Sequence, residues 1–173
     1  MNVPAVTAPY LAAVALLGLA GVSKLARPND TARALQLAGI PATRTWVRTG
    51  AAGEVAVAAA ALAAPGAVTG ALVAACYAAF TAFVAVALMR HWPMSSCGCF
   101  GKPDTPPTRS HAALNAVATV CALWWAASAP SNLIRTLARQ NWHGSALILE
   151  AAVVALLAFV VWTNPLPAAS GRS

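Results

Sequence analysis

Ala67–Met89, AVTGALVAACYAAFTAFVAVALM, runs for 23 residues without a charged side chain. A helix rises about 1.5 Å per residue, so this stretch outreaches the roughly 30 Å hydrocarbon core of a bilayer. Its apolar residues occupy every face and not a single stripe, as they do in a helix that meets no bulk water. Four further apolar segments flank it: about Tyr10–Ser23 with a start reaching toward Ala5, Trp46–Ala64, His111–Ala129 and Ser145–Val161. Backbone groups in lipid must bond within their own segment, so each span has to be a helix. The alternation of an outer-membrane strand is missing. The expectation is an all-α integral membrane protein, a bundle of about five transmembrane helices (a four-helix core plus one) with short interfacial helices. One transmembrane helical domain covers residues 1–164, and a loose tail covers 165–173.

Composition agrees. Of 173 residues 60% are hydrophobic and 9% charged, too few charges to cover the surface of a soluble domain. The formal charge of +7 sits between apolar runs, which is how membrane orientation is encoded, and not in a patch suited to nucleic acid. The expected partner is the lipid bilayer, with no nucleic acid. With five spans, Lys24, Arg27, Arg33, Arg44, Arg48, Arg90, Lys102, Arg109 and Arg172 fall on one side, and Arg135 and Arg139 on the other. The richer side is expected to be cytoplasmic and the N-terminus outside. Met1–Tyr10 lacks Lys and Arg, so the first run is expected to be retained and not cleaved. A multi-pass protein of the cytoplasmic (plasma) membrane follows.

The joints have their own chemistry. Pro65-Gly66 predicts a tight turn, and Asn29-Asp30 a capped short helix ending at Gly39, with Pro41 beyond. Pro130-Ser131-Asn132 opens a second short helix, and both are expected in the interface. Trp46, Trp92, Trp124, Trp125, Trp142 and Trp162 all fall near span ends, where an amphipathic indole favours the headgroup level. Gly66 and Gly70 make a small-xxx-small pair for close helix packing.

Cys97-Gly98-Cys99-Phe100-Gly101 lies in the polar connection between the third and fourth spans. Gly98 lets the backbone bend enough to bring the two sulfurs together. A disulfide over one intervening residue closes a strained, easily reduced ring. Arg90, Lys102 and Arg109 supply positive potential that favours thiolate, the attacking species in exchange. Two other readings stay open. Zinc would use Cys97, Cys99 and His91 or His111, although paired zinc cysteines are usually spaced by two to four residues. Alternatively the thiols are inert and merely shape a turn. Cys76 and Cys121 lie about 20 Å and 15 Å along their spans from the loop side, on antiparallel helices, either as a buried relay pair or as small hydrophobes. Glu54 lies about 12 Å into the second span, where a carboxylate needs a partner; Lys24, closing the first span on the same side, is the expected one. The pair reads either as proton handling beside a thiol or as a tie between spans.

The order Gly21-Val22-Ser23-Lys24-Leu25, Pro41, Glu54, Cys97-Gly98-Cys99-Phe100-Gly101 and Asn115 resembles the methylamine-utilisation protein MauE family, which is distantly similar to DoxX-like membrane proteins. The resemblance covers about residues 5–130, and the CGCFG motif is its most specific part. It implies a multi-pass membrane protein that matures a disulfide-rich client, the small subunit of methylamine dehydrogenase, with a thioredoxin-like partner. It implies thiol–disulfide exchange at Cys97 and Cys99, with Lys24 and Glu54 in support. That maturation takes place outside the cytoplasmic membrane, whereas the basic residues put the dithiol inside. Either the orientation is inverted or electrons cross by another route, for which Cys76 and Cys121 are the only thiols. No motif marks a cofactor; a quinone is compatible with membrane residence, but no site for it is legible. The alternatives are a non-enzymatic scaffold subunit and a metal-binding membrane protein using the CGC loop.

Overall fold

In the computed structural model the described residues are 6–92, 108–128, 149–157 and 160. Among them the chain is helical, with no strand. The helices are α1 (Thr7–Ala26), α2 (Pro28–Leu37), α3 (Arg44–Ala63), α4 (Ala67–Met89) and α5 (Arg109–Ser128), and residues 149–157 form a further helical stretch. The CGCFG segment, the second expected short helix, Trp142, Trp162 and the tail lie outside the described residues.

α4 has the bounds expected of it, because its turn chemistry is explicit. Gly66 N–H donates to Thr69 Oγ1 at 3.0 Å, and that hydroxyl donates to Ala64 O at 3.1 Å, which closes the Pro65-Gly66 corner. α2 corrects the expected cap. It starts at Pro28, and no side chain caps it. Proline's fixed φ and missing N–H suit the first helical position, so Asn29 and Asp30 fall inside the first turn. Gly39, at φ 78°, ends the segment in the left-handed conformation that glycine adopts without strain.

Two of the described helices, α1 and α4, are long and apolar enough to cross a membrane. This is narrower than the five spans expected. α3 and α5 match α1 at 20 residues, but Arg48, Glu54, His111 and Asn115 interrupt alanine-rich runs of weak hydrophobicity. Outward-facing Val68, Leu72, Val120 and Leu123 nevertheless leave an apolar exterior on α4 and α5. A soluble fold would cover such a surface.

α1 packs chiefly on α3, and α4 on α5. Gly18 faces Ala58 and Gly21 faces Ala51, so α1 and α3 run antiparallel; Gly70 against Trp125 and Ala126 shows the same of α4 and α5. The core gathers Tyr10, Val14 and Leu17 of α1, Ala58 and Ala61 of α3, Val73 and Tyr77 of α4, and Ala122 and Trp125 of α5. Trp125 departs from the interfacial role expected of all six tryptophans. It is fully buried and stacks on Tyr10 with centroids 4.5 Å apart and planes 6° off parallel. Gly70 makes room for it: a Cβ there would stand 3.0 Å from Trp125 Cδ1 and 3.1 Å from Ala126 Cα. Tyr77 Oη donates to Ala13 O at 2.7 Å and ties α4 to α1. Trp46 and Trp124 are exposed near helix ends, as the interface expectation requires.

Candidate functional site

The site begins at a close helix crossing. A Cβ on Gly21 would lie 2.8 Å from Val55 Cγ2 and 2.9 Å from Ala51 O, closer than real contacts allow. Glycine therefore lets α1 approach the α3 backbone. Glu54 Cβ would stand 3.2 Å from that same Cβ, and Lys24 follows Gly21 by three residues on α1. Lys24 Nζ donates to Glu54 Oε1 at 2.7 Å and to Oε2 at 2.8 Å. The pairing expected from their common side of the sequence map is the one found. The side chains are only 7% and 13% exposed. Each ion costs several kcal/mol to take out of water, on the order of 3 to 5 kcal/mol if one partner is removed, so the charges depend on each other. Lys24 also sits in the last turn of α1, where the helix dipole favours a cation.

α4 completes the arrangement. Lys24 Nζ stands 4.3 Å from the centroid of the Phe80 ring, whose π face attracts the ammonium. Phe83 follows on the same face and tilts against Trp92, with ring centroids 6.0 Å apart. Between these rings and α3 lies a cavity of about 270 Å³, bordered by Trp46, Val47, Gly50, Ala51 and the Lys24–Glu54 pair. Cys76 lies one turn before Phe80, is half-buried, and is within electrostatic reach of Glu54 and Lys24.

The other expected residues separate. Cys121 borders a different, smaller cavity of about 80 Å³ with Tyr77 and Leu114. Cys76 and Cys121 are both free thiols packed against the same core cluster. His111 is buried and serves the start of α5: its Nδ1 accepts the Thr108 N–H at 3.2 Å, while Thr108 Oγ1 accepts the His111 N–H at 3.4 Å. This reciprocal cap uses the ring nitrogen that a thiol base would need. His91 is exposed, with φ 50°. Asn115, one turn beyond His111, is buried. Among the described residues no three His, Cys, Asp or Glu side chains gather to hold a metal. Cys97, Gly98, Cys99, Phe100 and Gly101 lie outside the described residues.

Sequence reasoning missed Phe80, Phe83 and Trp46 as walls of this site. The i, i+4 and i, i+3 steps from Cys76 to Phe80 to Phe83 were the available signal, since they put a thiol and two rings on one helix face.

All described lysines and arginines lie toward one end of the bundle: the end of α1, α2, the first turns of α3, the end of α4 and the start of α5. The cavity is at that end, and the segment joining α4 to α5 leaves from it and returns to it. A family model described as Methylamine utilisation protein MauE matches residues 1–128. No curated protein and no solved structure matches the chain.

Proposed function

The chain belongs to the MauE family of methylamine utilisation proteins and is a membrane protein; on that premise we propose that it is a thiol–disulfide exchange factor in which Cys97 and Cys99 are the exchanging pair. What supports this reading is the position of the CGCFG motif in the sequence. It falls between α4 and α5, and the end of α4 and the start of α5 both belong to the basic end of the bundle, where the Lys24–Glu54 cavity also lies.

Exchange proceeds by two displacements. A thiolate of one protein attacks a sulfur of the other's disulfide, and the displaced thiolate leaves with the bonding electron pair. The second thiol of the attacking protein, once deprotonated, resolves the mixed disulfide. One disulfide is thereby traded for one dithiol, and two electrons and two protons pass between the proteins. The strained CGC ring suits this because it opens readily. Arg90 and Arg109, at the two helix ends from which the segment springs, favour the thiolate. The counterpart is a thioredoxin-like protein or a disulfide-containing client. Lys24 and Glu54 support the reaction as a buried, charge-balanced pair at the same end. The helices cross the cytoplasmic membrane several times, with the basic end inside.

Thiol trapping in a series of redox buffers tests the exchange. Cys97 and Cys99 are expected to interconvert between dithiol and disulfide at a defined potential, and thiols that stay reduced in strong oxidant would overturn the mechanism. Labelling intact cells with a membrane-impermeant thiol reagent reads their side of the membrane. If Cys97→Ser with Cys99→Ser leaves client maturation intact, the protein is a scaffold.

A further inference from the structure

The cavity at the Lys24–Glu54 pair has a shape and a hydrogen-bonding capacity that thiol exchange alone does not use. At about 270 Å³ it falls just below the roughly 300 to 1,000 Å³ usual for ligand cavities. That is room for one substituted ring and too little for a folded peptide segment. Trp46, Phe80 and Phe83 give it aromatic walls, Val47 adds an aliphatic one, and Lys24 and Glu54 are its charged groups.

A carboxylate offers about four lone-pair positions. Lys24 occupies one on each oxygen of Glu54. Glu54 therefore keeps acceptor capacity in a lining that is apolar apart from Lys24 and Thr31. An ammonium has three N–H donors; two go to Glu54, which leaves a third, and the Phe80 ring stands 4.3 Å from Nζ. A ligand carbonyl can take that third donor, and a ligand hydroxyl can donate to Glu54. An acyl chain would suit the walls and use neither group. A flat, largely apolar ring whose oxygen alternates between hydroxyl and carbonyl uses both.

We infer that this cavity binds the ring of a quinone-class molecule drawn from the bilayer, with Lys24 donating to the quinone carbonyl and Glu54 accepting from the quinol hydroxyl. In combination with thiol exchange, on which this step alone rests, the redox balance closes within the membrane. As the Cys97–Cys99 bond forms, two electrons and two protons leave the thiols and convert the quinone to its quinol.

The test uses the full chain in phosphatidylcholine nanodiscs titrated with decyl-ubiquinone, whose fully substituted ring offers thiols no open carbon. Saturable binding of one quinone per chain, above partition into empty nanodiscs, is expected. Gly50→Leu should weaken it at least tenfold. Gly50 borders the cavity, and a Cβ added there meets nothing within 4 Å, so the substitution has room at its first carbon, and an unchanged unfolding midpoint is the check that the fold is kept. Glu54→Gln should weaken binding of the reduced form, decyl-ubiquinol, which alone has a hydroxyl to donate there, and unchanged quinol affinity in that variant would overturn the role given to Glu54. Cys97→Ser with Cys99→Ser should bind as tightly as the parent, which separates the cavity from the exchange reading. Absence of saturable binding, equal affinity in Gly50→Leu, or loss of binding with the two thiols would each overturn the inference.

Discussion

The two ends of the bundle are built on opposite plans. At the end near Tyr10, large rings meet small residues: Trp125 lies against Gly70 and Ala126 and stacks on Tyr10, and Tyr10, Val14, Leu17, Val73 and Trp125 are all 0% exposed. At the end near Lys24, small residues meet empty space. Gly50 and Ala51 of α3 and Phe80 and Phe83 of α4 border a cavity, and the Lys24–Glu54 ion pair bridges α1 and α3 there. Close packing leaves no void big enough for a ligand. A bundle closely packed around Tyr10 and Trp125 can therefore hold a reactive or binding site at the other end without losing its fold.

Four measurements of unfolding in detergent micelles would break or sharpen this contrast. Trp125→Ala should have the largest effect, a loss of about 3–5 kcal/mol, because a buried ring leaves a cavity that its neighbours fill only in part. A small loss would mean that the filled end is not where stability resides. Glu54→Gln comes next, at about 3 kcal/mol, since it leaves Lys24 charged and unpaired at 7% exposure. Combining Lys24→Met with Glu54→Leu should recover most of that loss. If the single change proves silent, the open end is wetter than its geometry indicates.

The third test sets two glycines of neighbouring helices against each other. Gly21→Ala forces a Cβ to within 2.9 Å of the Ala51 carbonyl, backbone that cannot step aside, and should cost about 1–3 kcal/mol. Gly50→Ala meets nothing and should stabilise by about 0.5–1 kcal/mol through helix propensity. Equal effects would remove the distinction between crossing and cavity. The smallest effect belongs to Tyr77→Phe. It deletes one buried hydrogen bond to Ala13 O and should cost about 1 kcal/mol.

Much of this molecule was legible beforehand, for reasons that can be named. The bounds of α4 followed from an uncharged run and a Pro-Gly corner, both local signals. The Lys24–Glu54 pair was legible because a carboxylate within a span needs a cation, and Lys24 closes the neighbouring span on the same side. The α2 cap was misassigned because proline at the first helical position outweighs polar residues just after it. Trp125 was misassigned because nearness to a span end does not say which way a ring points. Trp124, its neighbour, turns outward and is exposed, while Trp125 turns into the core.

The order of apolar and polar runs alone determined that this is a helical membrane protein with a basic end and a dithiol segment, because hydrocarbon admits a chain only as a helix long enough to cross it. Only the tertiary structure decided which faces meet. The glycine crossing at Gly21, the ring above Lys24 and the space beside Gly50 each depend on the rotation of one helix against another, and hydropathy does not encode that rotation.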